Sequence, residues 1–181
     1  NILSNRSKYN TIQEGYQAWK NYINDLGFGR KFESDLPYET KGIIPSVEYF
    51  DKQYRKHWNA NTVISMGIGQ GEVATTPIQM ANLMAIIANR GYYIKPHVIK
   101  AIGNKSTPND RYLEKYYCGI DARYFEPVIK GMEQVMVAGT ARRSKIEGIP
   151  MAGKTGTAQN PHGMDHAVFA GFAPLNEPKI A

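Results

Sequence analysis

The sequence has 181 residues and a mass of 20.3 kDa, a length that favours a single domain. Apolar residues make up 42%, charged residues make up 21% and the formal net charge is +6, a balance that excludes a wholly disordered or low-complexity chain. The single cysteine, Cys118, excludes an internal disulfide framework. The sequence contains no apolar run of about 18 residues, so it predicts no transmembrane helix.

The first predicted element is an amphipathic helix that begins near Thr11. Thr11 and Glu14 form a capping box, in which a hydroxyl and a carboxylate satisfy amides at a helix start. Gly27 is a left-handed cap at the other end. Apolar side chains recur between these ends at spacings of three and four: Ile12, Tyr16, Trp19, Ile23 and Leu26. Glycine and proline then recur through residues 28–62, which predicts a long ordered loop with short elements at most.

The second predicted helix begins at Thr76 and ends near Gly91. Thr76 suits an N-cap, Pro77 suits the first helical position and Gln79 completes a capping box. The residues that follow are apolar on nearly every side of a helix, so we expect deep burial.

Short strands and a third helix follow. Residues 92–102 predict a short strand or hairpin arm, and residues 103–120 predict a polar surface loop that contains Cys118. Pro127 opens the third helix and Gly139 closes it. The apolar stripe of this helix consists of Phe125, Val128, Ile129, Met132, Val135 and Met136.

The last part of the chain predicts a β-hairpin. Residues 149–159 form one strand, residues 160–165 form a turn that contains proline and glycine, and residues 166–173 form the second strand. Lys179 begins a third strand, which stops at Ala181. We therefore expect these 181 residues to be a piece of a longer protein.

Two glycine-rich stretches suggest phosphate binding, but neither has the required context. The first, Gly67-x-Gly69-x-Gly71, lacks the dinucleotide spacing, and five residues separate it from Pro77. Residues 148–155 match the P-loop pattern, which needs a helix that begins at the Lys. Lys154 instead lies within a predicted strand, so the sequence disfavours a nucleotide-binding protein.

Interpreted as a strand, the second stretch suggests different chemistry. Side chains alternate along a strand, which places Lys154 and Gly156 on one face and Thr155 and Thr157 on the other. An edge strand can bind an extended peptide by strand addition. A lysine beside hydroxyl groups there can hold a carboxylate and polarise a nearby nucleophile.

The same segment carries a resemblance to a known family. Residues 152–159, with the sequence AGKTGTAQ, and the partner strand in residues 165–174 strongly resemble the Lys-Thr-Gly strand pair of penicillin-binding transpeptidases. Residues 66–71 and 76–81 also resemble that family. The insert at residues 54–61 is more similar to the elongation-type penicillin-binding protein 2 than to the division type.

This resemblance implies a fold, a reaction and a set of site residues. The fold is α/β (α+β), with an antiparallel sheet flanked by helices. A serine attacks a D-alanyl-D-alanine peptide to form an acyl-enzyme, which an amine resolves into a cell-wall cross-link; β-lactams acylate the same serine. Lys154 is the implied catalytic residue, and Thr155, Gly156 and Thr157 are implied to bind substrate. The resemblance implies no cofactor, and the four histidines do not form a metal set.

The nucleophile that this family uses is missing from the sequence. None of the seven serines has Lys three residues later, and Ser-x-Asn does not occur. We therefore expect residues 1–181 to be the C-terminal part of a transpeptidase domain, inactive alone. Apolar surface left without its usual neighbours predicts marginal stability, domain swapping or a homodimer of this piece.

The resemblance also implies partners and a location. The parent protein is expected to bind peptidoglycan stem peptides and β-lactams, to work with membrane proteins of cell elongation, and to be anchored in the cytoplasmic membrane with this domain on the periplasmic side. No nucleic-acid partner is expected. Two alternatives stay open: a non-catalytic module that binds peptides or a partner, and a P-loop nucleotide-binding protein.

Overall fold

The computed structural model describes residues 3, 5–103 and 110–181. The chain forms two compact units. The first unit comprises Asn1–Lys31 and Thr40–Thr76, and the second comprises Phe32–Glu39 and Pro77–Ala181. Each unit therefore combines segments that are distant in sequence.

The first unit begins with helix α1 (Ile12–Asp25), which confirms the first predicted helix. The hydroxyl of Thr11 accepts a hydrogen bond from the amide of Glu14 at 3.2 Å. The Glu14 carboxylate accepts from the amide of Asn10 rather than from that of Thr11, so the capping box closes one residue earlier than in its standard form. Gly27 has φ of 93°, as its predicted role as a left-handed cap requires.

The predicted long loop contains helix α2 (Val47–Gln53) and supplies two of the five buried residues that the structure describes in the core cluster of the first unit, Phe50 and Trp58. The ring of Tyr16, from α1, is fully buried. Phe50 and Trp58 meet it edge-on with ring centroids 5.3 and 5.6 Å away. The Tyr16 hydroxyl donates a hydrogen bond to the carbonyl oxygen of Pro45 at 3.0 Å. The loop is ordered because it wraps this aromatic cluster.

The second unit contains two long helices, which confirm both remaining helix predictions, although the third helix begins at Phe125 and not at Pro127 as predicted. Helix α3 (Pro77–Ala88) has six buried residues, among them Gln79 and Asn82. Helix α4 (Phe125–Val137) buries Phe125, Ile129, Met132 and Met136. Val128, which the predicted stripe included, is 47% exposed. The apolar periodicity therefore marked the right face of α4 but overestimated its width.

Two short strands join α3 to α4. Strand β1 (Tyr92–Ile94) pairs antiparallel with β2 (Lys115–Tyr117). The prediction of a polar loop over residues 103–120 was therefore wrong at β2, and residues 104–109 lie outside the described part of the chain. Aromatic pairs across the strands explain β2, since Tyr93 stacks on Tyr116 with centroids 5.5 Å apart. Cys118, predicted in a polar setting, is buried.

The predicted C-terminal hairpin is present. Strand β3 (Ala152–Ala158) pairs antiparallel with β4 (His166–Phe172), with Ala152 opposite Phe172 and Ala158 opposite His166. Helix α4 packs against β3, and α3 packs against β4. The predicted third strand is reduced to a single bridge between Ala173 and Ile180. These helices and antiparallel strands agree with the predicted α/β (α+β) class. No helix in the described ranges combines the length and apolarity needed to span a membrane.

Asp35 ties residues 32–39 to the chain that follows β1. Its carboxylate accepts hydrogen bonds from the amides of Val98 and Ile99 at 3.0 and 2.8 Å. Partial desolvation raises the pKa of Asp35, but the amides of Val98 and Ile99 outweigh it and hold the pKa below its ordinary value of 3.8. The folded chain therefore binds this proton less readily than the unfolded chain does.

This lowered pKa predicts a pH-dependent contribution to stability. Stabilisation by Asp35 is present above the unfolded pKa of 3.8 and is lost as the pH falls through the lower folded pKa. We expect Asp35→Asn to lower the melting temperature at pH 7. The difference in melting temperature between this variant and the unsubstituted chain should become smaller as the pH is reduced towards 3. Thermal unfolding at several pH values measures this, with Asp110→Asn as an exposed control in the same unit. A difference in melting temperature that stays constant across that pH range would contradict the prediction.

Candidate functional site

The candidate site lies on β3, where the register confirms the predicted alternation of side chains. Lys154 and Gly156 face the same way, and Thr155 and Thr157 face the opposite way. Within the described ranges β3 pairs with β4 alone, so its other edge carries no strand. Free backbone groups along such an edge can bind an extended peptide in the manner of an added strand.

Lys154 supplies a positive charge at this edge. Its side chain is exposed, and its ammonium group donates a hydrogen bond to the carbonyl oxygen of Thr155 at 2.7 Å. Because this bond is exposed, water competes for both groups and its net contribution to stability is small. The ammonium group can therefore leave that carbonyl and bind a ligand carboxylate, which offers a charge-assisted hydrogen bond.

Thr155 is held from the opposite face of the strand. Its hydroxyl oxygen lies 2.7 Å from the hydroxyl oxygen of Thr140, which follows the end of α4. Sequence reasoning missed Thr140, because the pair Gly139-Thr140 marks only a helix end in the sequence. Thr157 lies two residues farther along the same face and is exposed. The two threonine hydroxyls thus share one face of β3.

Glycines set the backbone geometry around these side chains. Gly153 and Gly171 lie opposite each other in β3 and β4, and the ring of Phe169 covers both. A Cβ atom on either glycine would collide with that ring. A Cβ atom on Gly156 would meet only Val168, at 3.8 Å. The strand is therefore tightly packed at its start and open beside Lys154.

The turn between β3 and β4 is organised by Asn160 and Asp165. The Asp165 carboxylate accepts from the amide of Asn160 at 3.1 Å, and the Asn160 side chain accepts from the amide of His162 at 3.0 Å. His166 is exposed and shares a face with Lys154, at the turn end of the hairpin. The parts of the chain that the structure describes hold no cluster of three or more side chains suited to a metal ion.

The geometry disagrees with a P-loop. A P-loop lysine lies at the start of a helix, whereas Lys154 is the third residue of a seven-residue strand. Residues 67–71 also fail to form a helix N-terminus: Gly69 and Gly71 both have φ of 73° and precede α3 by several residues. Neither stretch presents the cradle of amides that a nucleotide phosphate needs.

Known proteins match this chain along almost its whole length. A family model described as the penicillin binding protein transpeptidase domain matches residues 7–181. The peptidoglycan D,D-transpeptidase MrdA of Acinetobacter baumannii is 31% identical over 190 aligned residues, which cover 93% of this chain. The protein of the same name in Haemophilus influenzae is 33% identical and covers 92%.

Solved structures give the same result. PBP2 of Pseudomonas aeruginosa, in complex with WCK 5153, superimposes with a TM-score of 0.75 at 32% identity and covers 94% of this chain and 42% of that one. PBP2 of Helicobacter pylori, in complex with MreC, gives a TM-score of 0.72 at 29% identity. The match covers 93% of this chain and 30% of that one. The chain spans 28% and 29% of the two curated relatives.

Proposed function

The chain belongs to the penicillin-binding protein transpeptidase family, and from this premise we propose that it supplies the Lys-Thr-Gly wall of a peptidoglycan D,D-transpeptidase active site. Residues 1–181 are the C-terminal part of the catalytic domain in this proposal, and the nucleophilic serine lies in another part of the protein. The observation that supports it most directly is the open edge of β3, which carries Lys154 and the two threonine hydroxyls.

The proposed reaction assigns each of these groups a task. The serine attacks the D-alanyl-D-alanine carbonyl to form an acyl-enzyme, and an amine of a neighbouring stem peptide resolves it. Lys154 contributes positive charge near the serine and helps to hold the donor carboxylate. Thr155 and Thr157 lie on the opposite face of β3 from Lys154, and they offer hydroxyl groups to that carboxylate at the strand edge left unpaired in the described ranges, which both faces share. The amide of Thr157 donates to the oxyanion, an interaction worth roughly 2.7–4 kcal/mol in a transition state.

The open strand also suits the binding of the donor peptide. Gly156 places no side chain against the peptide backbone, and a Cβ there would meet only Val168. The net charge of +6 favours association with peptides that carry carboxylates. β-Lactams imitate the donor peptide, so they use the same strand and acylate the same serine.

The names of the relatives support a proposal about partners and location. Curated relatives bear the name MrdA, and PBP2 of Helicobacter pylori forms a complex with MreC. We propose that the longer protein acts in cell-wall elongation with membrane-associated partners and thereby influences cell shape. It is anchored in the cytoplasmic membrane in this proposal, with the present domain on the periplasmic side.

Labelling with a fluorescent penicillin tests the function. We expect the 181-residue chain to form no stable adduct, because its sequence holds no Ser-x-x-Lys. The longer protein that includes this chain and a Ser-x-x-Lys motif should form one, since only an intact nucleophile is acylated. Mass spectrometry of the intact proteins measures the added mass.

The two samples control each other. An adduct on the short chain would contradict its expected inactivity and would show a nucleophile that the sequence pattern misses. Absence of an adduct on the longer protein would contradict the transpeptidase proposal. Retained affinity for a D-alanyl-D-alanine peptide would then favour the non-catalytic binding module. An unlabelled β-lactam added first should abolish the signal if labelling is specific.

A further inference from the structure

Thr140 lies on a turn whose backbone is fixed on both sides. The amide of Gly139 donates to the carbonyl oxygen of Gln134 at 2.9 Å, and the amide of Ala141 donates to that of Val135 at 3.1 Å. Ala141 is buried. A Cβ atom on Gly139 would stand 2.7 Å from the Cα atom of Val135, so a glycine is needed for this close approach. The turn therefore holds the Thr140 side chain in a defined place against β3.

The hydrogen bond between the hydroxyl groups of Thr140 and Thr155 can run in either direction. Their oxygens are 2.7 Å apart, and either group can donate. Each hydroxyl carries one proton. If Thr155 donates to Thr140, it has no proton left for a ligand. If Thr140 donates to Thr155, the Thr155 proton is free to point away from α4.

We propose that Thr140 is a positioning residue that directs the Thr155 hydroxyl towards the carboxylate of the donor peptide or of a β-lactam. A carboxylate only accepts hydrogen bonds, so Thr155 must donate to it. Thr155 then satisfies its own oxygen by accepting from Thr140. This inference rests on the proposed function and adds a residue that lies outside the Lys-Thr-Gly motif.

A purely structural role for Thr140 would have a different signature. In that case the bond to Thr155 would only fasten the end of α4 to β3, and its loss would affect every ligand of the site equally. An orienting role affects a carboxylate ligand much more than its ester, because the neutral ester oxygens accept a weaker hydrogen bond from Thr155. The comparison of a β-lactam acid with its ester separates these two roles.

The test uses the longer protein that carries this chain and a Ser-x-x-Lys motif. Thr140→Val keeps the side-chain shape but cannot donate, whereas Thr140→Ser keeps the hydroxyl. We expect Thr140→Val to slow acylation by benzylpenicillin about fivefold, as the loss of the neutral hydrogen bond that orients the Thr155 hydroxyl predicts. Acylation by benzylpenicillin methyl ester should change less than twofold, and Thr140→Ser should restore the rate with the acid.

Each other outcome overturns the inference. An equal loss with acid and ester would show that Thr140 acts through structure alone, and unchanged rates with both would show no role. Unfolding temperatures are recorded for every variant, and Thr140→Ala replaces Thr140→Val if the latter misfolds. Absence of an adduct on the unsubstituted protein would overturn the proposed function and this inference with it. Acylation of that protein without the difference between acid and ester would overturn this inference alone.

Discussion

Lys154→Ala, made in the longer protein that carries this chain and a Ser-x-x-Lys motif, is expected to slow acylation by penicillin roughly 10²–10⁴-fold, the range for loss of a positioned proton-transfer or charge-stabilising group. The exposed ammonium group of Lys154 lies at the open edge of β3 and already donates to a backbone carbonyl there. Its removal takes away the positive charge that the proposed function assigns to the serine and to the ligand carboxylate. Stopped-flow labelling with a fluorescent penicillin measures the rate.

Two further lysine variants define the cause of that loss. Lys130→Ala removes an exposed lysine from α4 and should leave the acylation rate within about twofold, since surface substitutions are usually near neutral. Lys154→Arg keeps the charge but alters its geometry. Its acylation rate should lie between the rates of Lys154→Ala and Lys130→Ala. A Lys154→Ala variant that is acylated at the unsubstituted rate would refute the role proposed for this side chain.

The largest expected effect on stability comes from Tyr16→Ala. The Tyr16 ring has no exposed surface, and three aromatic side chains surround it with centroids within 5.6 Å. Removing a buried aromatic side chain typically costs about 3–5 kcal/mol, because it leaves a cavity as well as losing apolar burial. Urea unfolding of the 181-residue chain, followed by tryptophan fluorescence, measures the change in free energy of unfolding.

Matched variants separate the parts of this effect. Tyr16→Phe keeps the ring but leaves the Pro45 carbonyl without the hydroxyl donor, and should cost about 1 kcal/mol. Tyr22→Ala changes a tyrosine of the same helix that is 54% exposed and should change stability by less than about 0.5 kcal/mol. Similar losses for Tyr16→Ala and Tyr22→Ala would mean that the aromatic cluster is not the core of the first unit.

The elements that the sequence predicted correctly are those that local rules determine. Helix α1 follows from a cap at Thr11 and from apolar residues at helical spacing, and both lie within one segment of chain. The hairpin of β3 and β4 follows from two strand-like runs and one turn. The face that Lys154 shares with Gly156 follows from the two-residue period of a strand. No information from distant residues was required.

The features that were missed depend on distant residues. Strand β2 forms because Tyr116 and Tyr117 meet aromatic partners in β1 more than twenty residues earlier. The order of residues 28–62 was predicted, but not the packing of Phe50 and Trp58 on Tyr16, which lies more than thirty residues earlier. The contact between Thr140 and Thr155 joins a helix end to a strand across fifteen residues. Local pattern and propensity contain none of these pairings.

The glycine pair beneath Phe169 has a consequence for how this strand can change under selection by antibiotics. Every replacement of Gly153 or Gly171 adds a Cβ atom that would collide with the Phe169 ring. A Cβ atom on Gly171 would also stand 2.6 Å from the backbone oxygen of Ala152, so replacement of Gly171 is expected to disrupt the hairpin. Replacement of Gly153 requires the Phe169 ring, which is 45% exposed, to move aside. Gly156 has room for a side chain, and it lies beside the lysine. If β3 binds substrate and β-lactams as proposed, changes in drug affinity through this strand are expected at its open part, where they also affect the natural substrate.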